Sequence, residues 1–298
     1  NVGGSFVSSE LRGPAAGIAP VDVNGDGRVS VAESRVPILP LNRPATIAYD
    51  YDYLSYSAGV NYRFSEPLSI FARYSHGGRA NAEGVVGSGV VDPATVVTFV
   101  DQAEVGVKYR KNDLSLFVTG FWASTDEFNF QIAGDASGQT VVLPVDRTYS
   151  AKGVEVEGEW RRGPFALAMG ATFTDATIDD DRNDATFNGL VPRHIPDFAF
   201  FARPEFAFGK VTFGTVINGT TESFAQDSNQ LVQPGYVLVS PFLQYRPTEG
   251  LTVALNAFNV FDELAIVQLQ AASIPASGLA NAQVMNGRTV TASLRYAF

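Results

Sequence analysis

The sequence contains no cysteine, and histidine, tryptophan and methionine occur only twice each among 298 residues. Without cysteine the chain can form neither a disulfide framework nor a thiolate-based site. Basic residues are also scarce, since 21 Lys and Arg against 31 Asp and Glu give a net charge of −10. That charge argues against a nucleic-acid partner, because a phosphate backbone needs clustered basic side chains. The chain also lacks any run near the ~18 consecutive apolar residues that a membrane-spanning helix needs.

Alternating apolar and polar residues recur along the chain from about residue 50. Within 54–64, one set of positions reads Leu, Tyr, Ala, Val, Tyr and Phe, and the intervening set reads Ser, Ser, Gly, Asn and Arg. The same period of two occurs at 68–75, 102–110, 154–161 and 289–298. Because successive side chains of a β-strand point to opposite faces, each stretch is predicted to be a strand with one apolar face.

The connections between these strands alternate between short and long. Tight turns are predicted at 64–67, 111–113, 161–164, 209–210 and 246–250. Between them lie segments rich in Gly, Asn, Asp, Ser and Thr, at about 77–97, 127–147, 178–195, 222–234 and 263–286. Short turns at one end and long loops at the other are typical of an outer-membrane barrel, whose strands need only ~9–11 residues each. The pattern predicts eleven strands from residue 53 and one near the N-terminus, roughly twelve in all.

Aromatic residues gather near the tight turns, at Phe64, Tyr109, Trp160, Phe165, Phe208, Tyr245 and Tyr296. Rings at strand ends are expected to form an interfacial girdle in a membrane barrel. The alternative is the core of a soluble β-sandwich, such as a calcium-binding adhesive domain. A sandwich would not sort its loops by length so consistently. The sequence therefore predicts an all-β, antiparallel transmembrane β-barrel.

Four stretches resemble the C-terminal part of a TonB-dependent outer-membrane receptor. AKGVEVEGEWRR (151–162) followed by FALAMGATFTDATI (165–178) is similar to a strand pair of that family, and LNAFNVFDE (255–263) to its penultimate-strand signature. GRTVTASLRYAF (287–298) resembles the family's last strand. The resemblance implies that the aromatic residues at its end, here Tyr296 and Phe298, are presented to the barrel assembly machinery. The resemblance extends over about residues 50–298.

The resemblance implies a receptor that binds a scarce solute outside the cell and imports it with energy transmitted by TonB. The family's barrel has ~22 strands, and an N-terminal plug occupies its lumen. With about twelve strands and no plug, this chain is expected to be the second half of such a barrel, which by itself has two open edges in lipid. Siderophores, cobalamin, nickel chelates and oligosaccharides all remain open as solutes, because a fold does not fix its ligand.

One segment lies outside the strand pattern and has the spacing of an EF-hand calcium loop. VDVNGDGRVSVAE (21–33) has oxygen ligands at the required loop positions and a glycine, Gly27, where the sharp turn needs it. The predicted ligands are Asp22, Asn24, Asp26, the backbone carbonyl of Arg28, Ser30 and Glu33. Prolines on both sides argue against flanking helices, so the prediction is a structural calcium clip within an extracellular loop over 11–50.

No catalytic arrangement stands out, and the chain is predicted not to be an enzyme. An esterase would need Ser75 or Ser88 beside His76 or His194, but neither serine lies in a recognisable nucleophile motif. The remaining alternative to a receptor is a complete barrel of about twelve strands, namely a porin, an autotransporter translocator or an outer-membrane enzyme.

The acidic row Glu155, Glu157 and Glu159 is expected to line the lumen rather than to supply glycosidase carboxylates. Its predicted partners are Arg161, Arg110 and Lys108, or a plug. The neighbouring segment PVDRTYSAKG (144–153) either contacts ligand or forms the start of a strand.

Overall fold

Strands make up most of the chain that the computed structural model describes, which is residues 1–14, 17–19, 27–28, 36–38, 46–80, 97–134, 140–270 and 278–297. They are β1 (Val2–Pro14), β2 (Gly17–Ala19), β3 (Val36–Ile38), β4 (Thr46–Ser65), β5 (Leu68–Ala80), β6 (Val97–Lys111), β7 (Leu114–Gly134), β8 (Thr140–Arg162), β9 (Phe165–Asp181), β10 (Phe198–Phe208), β11 (Val211–Thr220), β12 (Ser223–Phe224), β13 (Val232–Gln233), β14 (Tyr236–Thr248), β15 (Leu251–Phe258), β16 (Ile266–Gln270), β17 (Asn281–Val284) and β18 (Thr289–Tyr296). A short 3₁₀ helix spans Ala185–Phe187. Over these residues we find no helix of the length and apolar character needed to span a membrane.

Twelve of the strands form one antiparallel sheet, in the order β1-β4-β5-β6-β7-β8-β9-β10-β11-β14-β15-β18. The predicted number of strands is thereby confirmed. The tight turns that the sequence predicted join β4 to β5, β6 to β7, β8 to β9, β10 to β11 and β14 to β15. At two of them Gly163 and Gly209 have φ of +56° and +57°, a conformation that tight hairpin turns require and that glycine adopts without steric cost. The other six strands form two-stranded pairs, β2–β3, β12–β13 and β16–β17, within the long connections.

Two segments predicted as loops are partly paired strand. β7 and β8 stay in register from Leu114↔Trp160 to Gly134↔Thr140, so the loop prediction over 127–147 was wrong for most of its length. β1 and β4 are paired as far as Pro14↔Thr46, which narrows the predicted loop over 11–50. Apolar and polar residues in fact keep alternating there, as in EFNFQI (127–132) and YDYDY (49–53). Each hairpin therefore extends beyond the predicted strand ends and keeps its backbone hydrogen bonds.

The two faces of the sheet differ in the way a membrane wall requires. One face exposes its large apolar side chains: Val60 and Val105, for example, are 65% and 63% exposed. The predicted girdle residues Phe64, Phe208 and Tyr296 are exposed on the same face near the tight turns. An apolar surface of this extent would be buried in a water-soluble domain. It identifies this face as the outward, lipid-facing one.

On the inward face, phenylalanine rings lie over glycines of the adjacent strand. The Phe121 ring covers Gly153 and the Phe201 ring covers Gly170, so that an added Cβ at either glycine would overlap the ring. A cation stands over one such ring, with Lys108 Nζ 4.6 Å from the centre of Phe71. These pairs let neighbouring strands approach while the inward face stays filled by aromatic surface.

Candidate functional site at the outer mouth

Buried apolar side chains concentrate at the long-loop end of the inward face. Val145, Ala176, Ile178 and Leu238 are all buried there. The backbone of Ile178 donates to Leu190 O at 2.9 Å and accepts from Gly189 N at 2.8 Å. The segment between β9 and β10 therefore folds back over the inner wall. We call the connecting segments 182–197 and 221–235 together the loop cap.

A buried ion cluster anchors the loop cap to the wall. Arg147 on β8 binds Asp181 at the end of β9 through Nε, and its Nη1 lies 2.5 Å from Asp227 Oδ2 in segment 221–235. The three side chains are 6%, 2% and 7% exposed. The ring of Phe187 packs against the guanidinium at 4.6 Å. Charges so far removed from water are tolerated only when they are paired and hydrogen-bonded, as they are here.

Both carboxylates of the cluster also bind backbone amides of segment 182–197. Asp181 Oδ1 accepts from the amides of Asn183 and Asp184 at 2.8 and 2.9 Å. Asp227 Oδ1 accepts from the amide of Arg193 at 3.0 Å. Each carboxylate therefore shapes a loop while it neutralises Arg147, and charge-assisted bonds of this kind are the stronger class of hydrogen bond.

Side-chain amides connect the cap to the last long segment. Asn229 and Val191 form a reciprocal pair, with Nδ2 donating to the Val191 carbonyl at 2.8 Å and Oδ1 accepting from its amide at 3.0 Å. Gln233 does the same across to β16, accepting from Leu269 N at 3.0 Å and donating to Val267 O at 3.2 Å. The described parts of three connections are thus linked by side-chain hydrogen bonds at the long-loop end of the sheet.

The motif LNAFNVFDE acquires a structural role through its second asparagine. Asn259 is fully buried, has a φ of +49° and donates to Glu263 O at 2.8 Å while it accepts from Glu263 N at 2.9 Å. Asparagine tolerates this left-handed conformation better than most residues. It closes the turn at the top of β15 and thereby fixes where the final connection leaves the sheet.

Burial shifts three titratable groups in or beside the cap. Burial lowers the pKa of Arg147, but hydrogen bonds to Asp181, Tyr149 and Asp227 outweigh it, so the net pKa is above the ordinary value. Burial raises the pKa of Tyr149 to about 12. Burial, followed by the charge of Arg193, lowers the pKa of His194, against an opposing contribution from Asp227. Arg147 therefore stays charged and His194 stays neutral at physiological pH.

On the outward face, the apolar surface ends in polar and aromatic groups about ten residues above the tight turns, the distance expected for a ~25 Å hydrocarbon layer. His76 stacks between Tyr56 and Phe99 at 5.2 and 5.1 Å, and its Nδ1 lies 2.8 Å from Asp101 Oδ1. On the neighbouring strands, Lys152 Nζ lies 3.2 Å from Asp175 Oδ2. These residues mark the outer membrane interface.

The acidic row has only part of its predicted pairing. Glu159 pairs with Arg161 at 3.0 Å, as predicted. Arg110 instead donates to Ser115 Oγ at 3.2 Å, and Lys108 lies over Phe71. The segment 144–153 belongs to β8. This favours the interpretation of the segment as the start of a strand, and Arg147 within it binds carboxylates of the chain itself.

Among the described residues, the Ser–His pair that an esterase would need is not formed. Ser75 and His76 are successive residues of β5, so their side chains point to opposite faces. Ser88 lies outside the described residues. His76 is held by aromatic rings and a carboxylate, and His194 is half-buried within the cap.

The predicted calcium ligands Asp22, Asn24, Asp26, Ser30 and Glu33 lie outside the described residues, as does Phe298. Gly27 has a φ of +78° and Arg28 is exposed. Among the residues that are described, no three or more His, Asp or Glu side chains are grouped to hold a metal ion. Tyr296 is exposed on the last strand.

Sequence reasoning missed the buried cluster. Arg147 and Asp227 are 80 residues apart, and no local pattern links them. The sequence held only a weak indication of the cluster, namely an arginine at an inward-facing strand position and long connections rich in Asp and Asn.

Comparisons with known proteins agree on one family. Residues 18–260 match the family model described as TonB dependent receptor-like, beta-barrel. The ferrichrome outer membrane transporter/phage receptor of Escherichia coli K12 is 27% identical over 237 residues, which are 74% of this chain and 30% of that protein.

Solved structures agree in fold. The ferric-catecholate import receptor Fiu from E. coli K12 superposes with a TM-score of 0.72 at 14% identity, over 100% of this chain and 42% of that one. The copper transporter OprC has the same TM-score at 13% identity, over 100% and 45% of the two chains. The chain spans about a third of the length of the curated relatives it matches.

Proposed function

The chain belongs to the TonB-dependent receptor family of Gram-negative outer-membrane barrels, and from this premise we propose that it is the C-terminal barrel part of a receptor that imports an iron chelate. The solute would bind at the outer mouth, and TonB would drive its passage through a rearranged plug. Family membership favours this function over a porin, an autotransporter translocator or an outer-membrane enzyme.

The loop cap is the observation that carries the proposal. It covers the inner wall at the extracellular end, is held by the buried Arg147 cluster, and presents polar groups such as Arg182 and Asp184 to solvent. A rigid polar surface at the mouth suits a hydrophilic chelate, since pre-ordered loops reduce the entropy cost of binding. Iron is favoured as the metal because the ferrichrome transporter is a relative at 27% identity.

Uptake under iron limitation tests the proposal. The gene would be deleted in the native host, and uptake of ⁵⁵Fe would be measured with one hydroxamate and one catecholate chelate, each with and without TonB. We expect deletion to abolish uptake of one of the two chelates, and complementation to restore it only when TonB is present. Normal uptake of both chelates together with lost uptake of cobalamin would contradict the iron assignment and leave the family unaffected.

We further propose that residues 22–33 bind calcium and brace the extracellular segment that contains them. The support is the ligand spacing, together with the left-handed conformation of Gly27 at the turn position of the loop. Titration calorimetry of the purified receptor should show a site that Glu33→Gln weakens and Glu66→Gln, at a periplasmic turn, leaves intact. Equal calcium binding by wild type and Glu33→Gln would remove the proposal.

The final residues are proposed to direct assembly. Tyr296 ends β18, and with Phe298 it forms the aromatic pattern that the resemblance implies is recognised by the barrel assembly machinery. Phe298→Ala should lower the amount of folded receptor in the outer membrane, measured by heat-modifiable gel mobility, while an unchanged amount would contradict this role.

A further inference from the structure

Below the outer membrane interface, the inward face of β4, β5 and β6 is predominantly basic. The registers of these strands and the alternation of side chains place four basic residues and one acidic residue, Glu104, on this face. We call the four basic residues the basic strip: Arg63, Arg73, Lys108 and Arg110.

The cations of the basic strip are exposed to the lumen and are not neutralised within the sheet. Lys108 Nζ stands 4.6 Å from the centre of the Phe71 ring, and Arg110 Nε donates to Ser115 Oγ at 3.2 Å. Among the described residues, none of the four forms an ion pair with a carboxylate. Unpaired cations on the wall of a confined lumen raise the local concentration of anions.

The carboxylate nearest to the strip in the ladder does not neutralise it. Glu104 stands opposite Arg73, but its Oε1 accepts a hydrogen bond from Gln102 Nε2 at 2.9 Å. Elsewhere on the inner wall, arginines do pair with carboxylates, as Arg161 does with Glu159 at 3.0 Å. The absence of such pairs within the described part of β4 to β6 therefore distinguishes this part of the wall.

The strip runs along the direction of transport and becomes more basic toward the periplasm. Arg73 lies in its uppermost row. Two rows nearer the tight turns, Arg63 and Lys108 flank Ser69 on either side, and Arg110 follows one row lower. At a rise of about 3.3 Å per residue, the strip is about 20 Å long. One cation at its upper end and three at its lower end attract an anion toward the periplasmic side.

The next part of the inner wall has the opposite charge. Glu155, Glu157 and Glu159 form the acidic row on β8, and β7 lies between this row and the strip. Lys108 and Glu157 are both paired with Phe117 in the ladder. They are therefore two strand spacings apart, about 10 Å, which is too far for an ion pair.

We propose that the basic strip is the path along which the receptor passes an anionic solute to the periplasm. Carboxylate, phenolate or phosphate oxygens of the solute would bind one cation of the strip after another. Several weak sites in series suit conduction, because a solute must be able to leave each site as well as enter it. The exposed, singly placed cations of the strip provide such sites. This inference rests on the proposed import function and adds the charge of the solute.

The first test is the charge of the imported chelate. A ferric tris-catecholate is an anion, whereas three hydroxamates just balance the charge of Fe³⁺. In the ⁵⁵Fe experiment above, wild type should therefore import the tris-catecholate. Import of the neutral tris-hydroxamate instead would overturn the role of the strip and leave the import of an iron chelate intact.

The second test removes charge from the strip in the complete receptor. Arg63→Gln with Lys108→Gln is compared with Lys111→Gln and Arg162→Gln, which remove the same charge at the periplasmic turns. Arg63→Lys with Lys108→Arg preserves the charge of the strip. For each receptor we would measure the Kd of the imported chelate at the cell surface, the maximal TonB-dependent uptake rate, and the rate at which protease cleaves the plug.

We expect the double Gln variant of the strip to keep the wild-type Kd and to lower the maximal uptake rate about three- to tenfold, the range for two exposed cations. The turn variant and the charge-preserving variant should match wild type in all three measurements. Equal uptake rates in the strip and turn variants would contradict the proposal. Faster cleavage of the plug in the strip variant alone would also overturn it, because the strip would then hold the plug instead of guiding the solute.

Discussion

Arginine and carboxylate meet at both ends of the same wall, with opposite consequences. At the periplasmic end, Arg161 and Glu159 are 72% and 52% exposed and lie 3.0 Å apart on one strand. At the outer mouth, Arg147 is buried with two carboxylates from different segments. An exposed pair is screened by water and contributes about 0–1 kcal/mol. The loops around a buried cluster depend on its geometry, because removing one partner leaves a buried charge without a counter-charge.

The difference shows that the wall and the loop cap are held together by different interactions. In the wall, long ladders of backbone hydrogen bonds supply the structure and side chains only have to suit lipid or lumen. In the loop cap, short segments have few ladder bonds, so side chains of Arg147, Asp181, Asp227, Asn229 and Gln233 take over. The cap is therefore the region where a single substitution should reorganise the mouth without unfolding the barrel.

The largest effect is expected for Arg147→Met. This change leaves Asp181 and Asp227 buried without a cation, at a cost of about 3–5 kcal/mol to the local stability of the cap. Hydrogen exchange in segments 182–197 and 221–235 should rise by at least about a hundredfold, and solute uptake should fall. Arg161→Met is the matched control and should change exchange at its own turn by less than about fivefold.

Two outcomes bear on this prediction. Equal hydrogen exchange in the two variants would show that the buried cluster contributes no more to local stability than the exposed pair does. Loss of heat-modifiable mobility in Arg147→Met would show that the cap and the wall fold as one unit, contrary to the distinction drawn above.

A smaller effect is expected within the wall itself. Gly153→Ala adds a Cβ that overlaps the Phe121 ring and the carbonyl of Phe173, whereas Gly120→Ala meets only ordinary contacts. Overpacking of this kind costs about 1–3 kcal/mol, so Gly153→Ala should lower the midpoint of urea unfolding in lipid vesicles. Gly120→Ala should leave the midpoint within error, and a loss of equal size in both variants would show that the close approach at Gly153 is unimportant.

The wall could be predicted from the sequence, whereas the loop cap could not. Strand alternation is a local property with period two, and the turns at Gly163 and Gly209 are set by neighbouring residues, so the twelve-stranded sheet could be predicted. The same alternation runs through EFNFQI (127–132), so the extension of the β7–β8 ladder was predictable as well. It was missed because the Gly- and polar-rich residues 134–140 led to a loop prediction for the whole connection. The Arg147–Asp227 contact depends on how a segment 80 residues later folds back, and no periodicity encodes that.

The smallest effect concerns pH and one residue of the cap. Burial and Arg193 lower the pKa of His194 below its ordinary value of 6.5, against an opposing contribution from Asp227. The folded cap therefore favours neutral His194, and below pH 6.5 the unfolded cap binds more protons than the folded one. The contribution is complete above that pH and declines as pH falls through it.

Hydrogen exchange at 191–194 and 224–227, corrected for intrinsic rates, should therefore be faster at pH 5.5 than at pH 7.5. The change should not exceed about tenfold, since one pH unit corresponds to about 1.4 kcal/mol for a single group. His194→Asn keeps a polar side chain that tolerates the local φ of +63° and should remove the pH difference. If the variant keeps the whole difference, His194 is not the titrating group and the prediction is wrong.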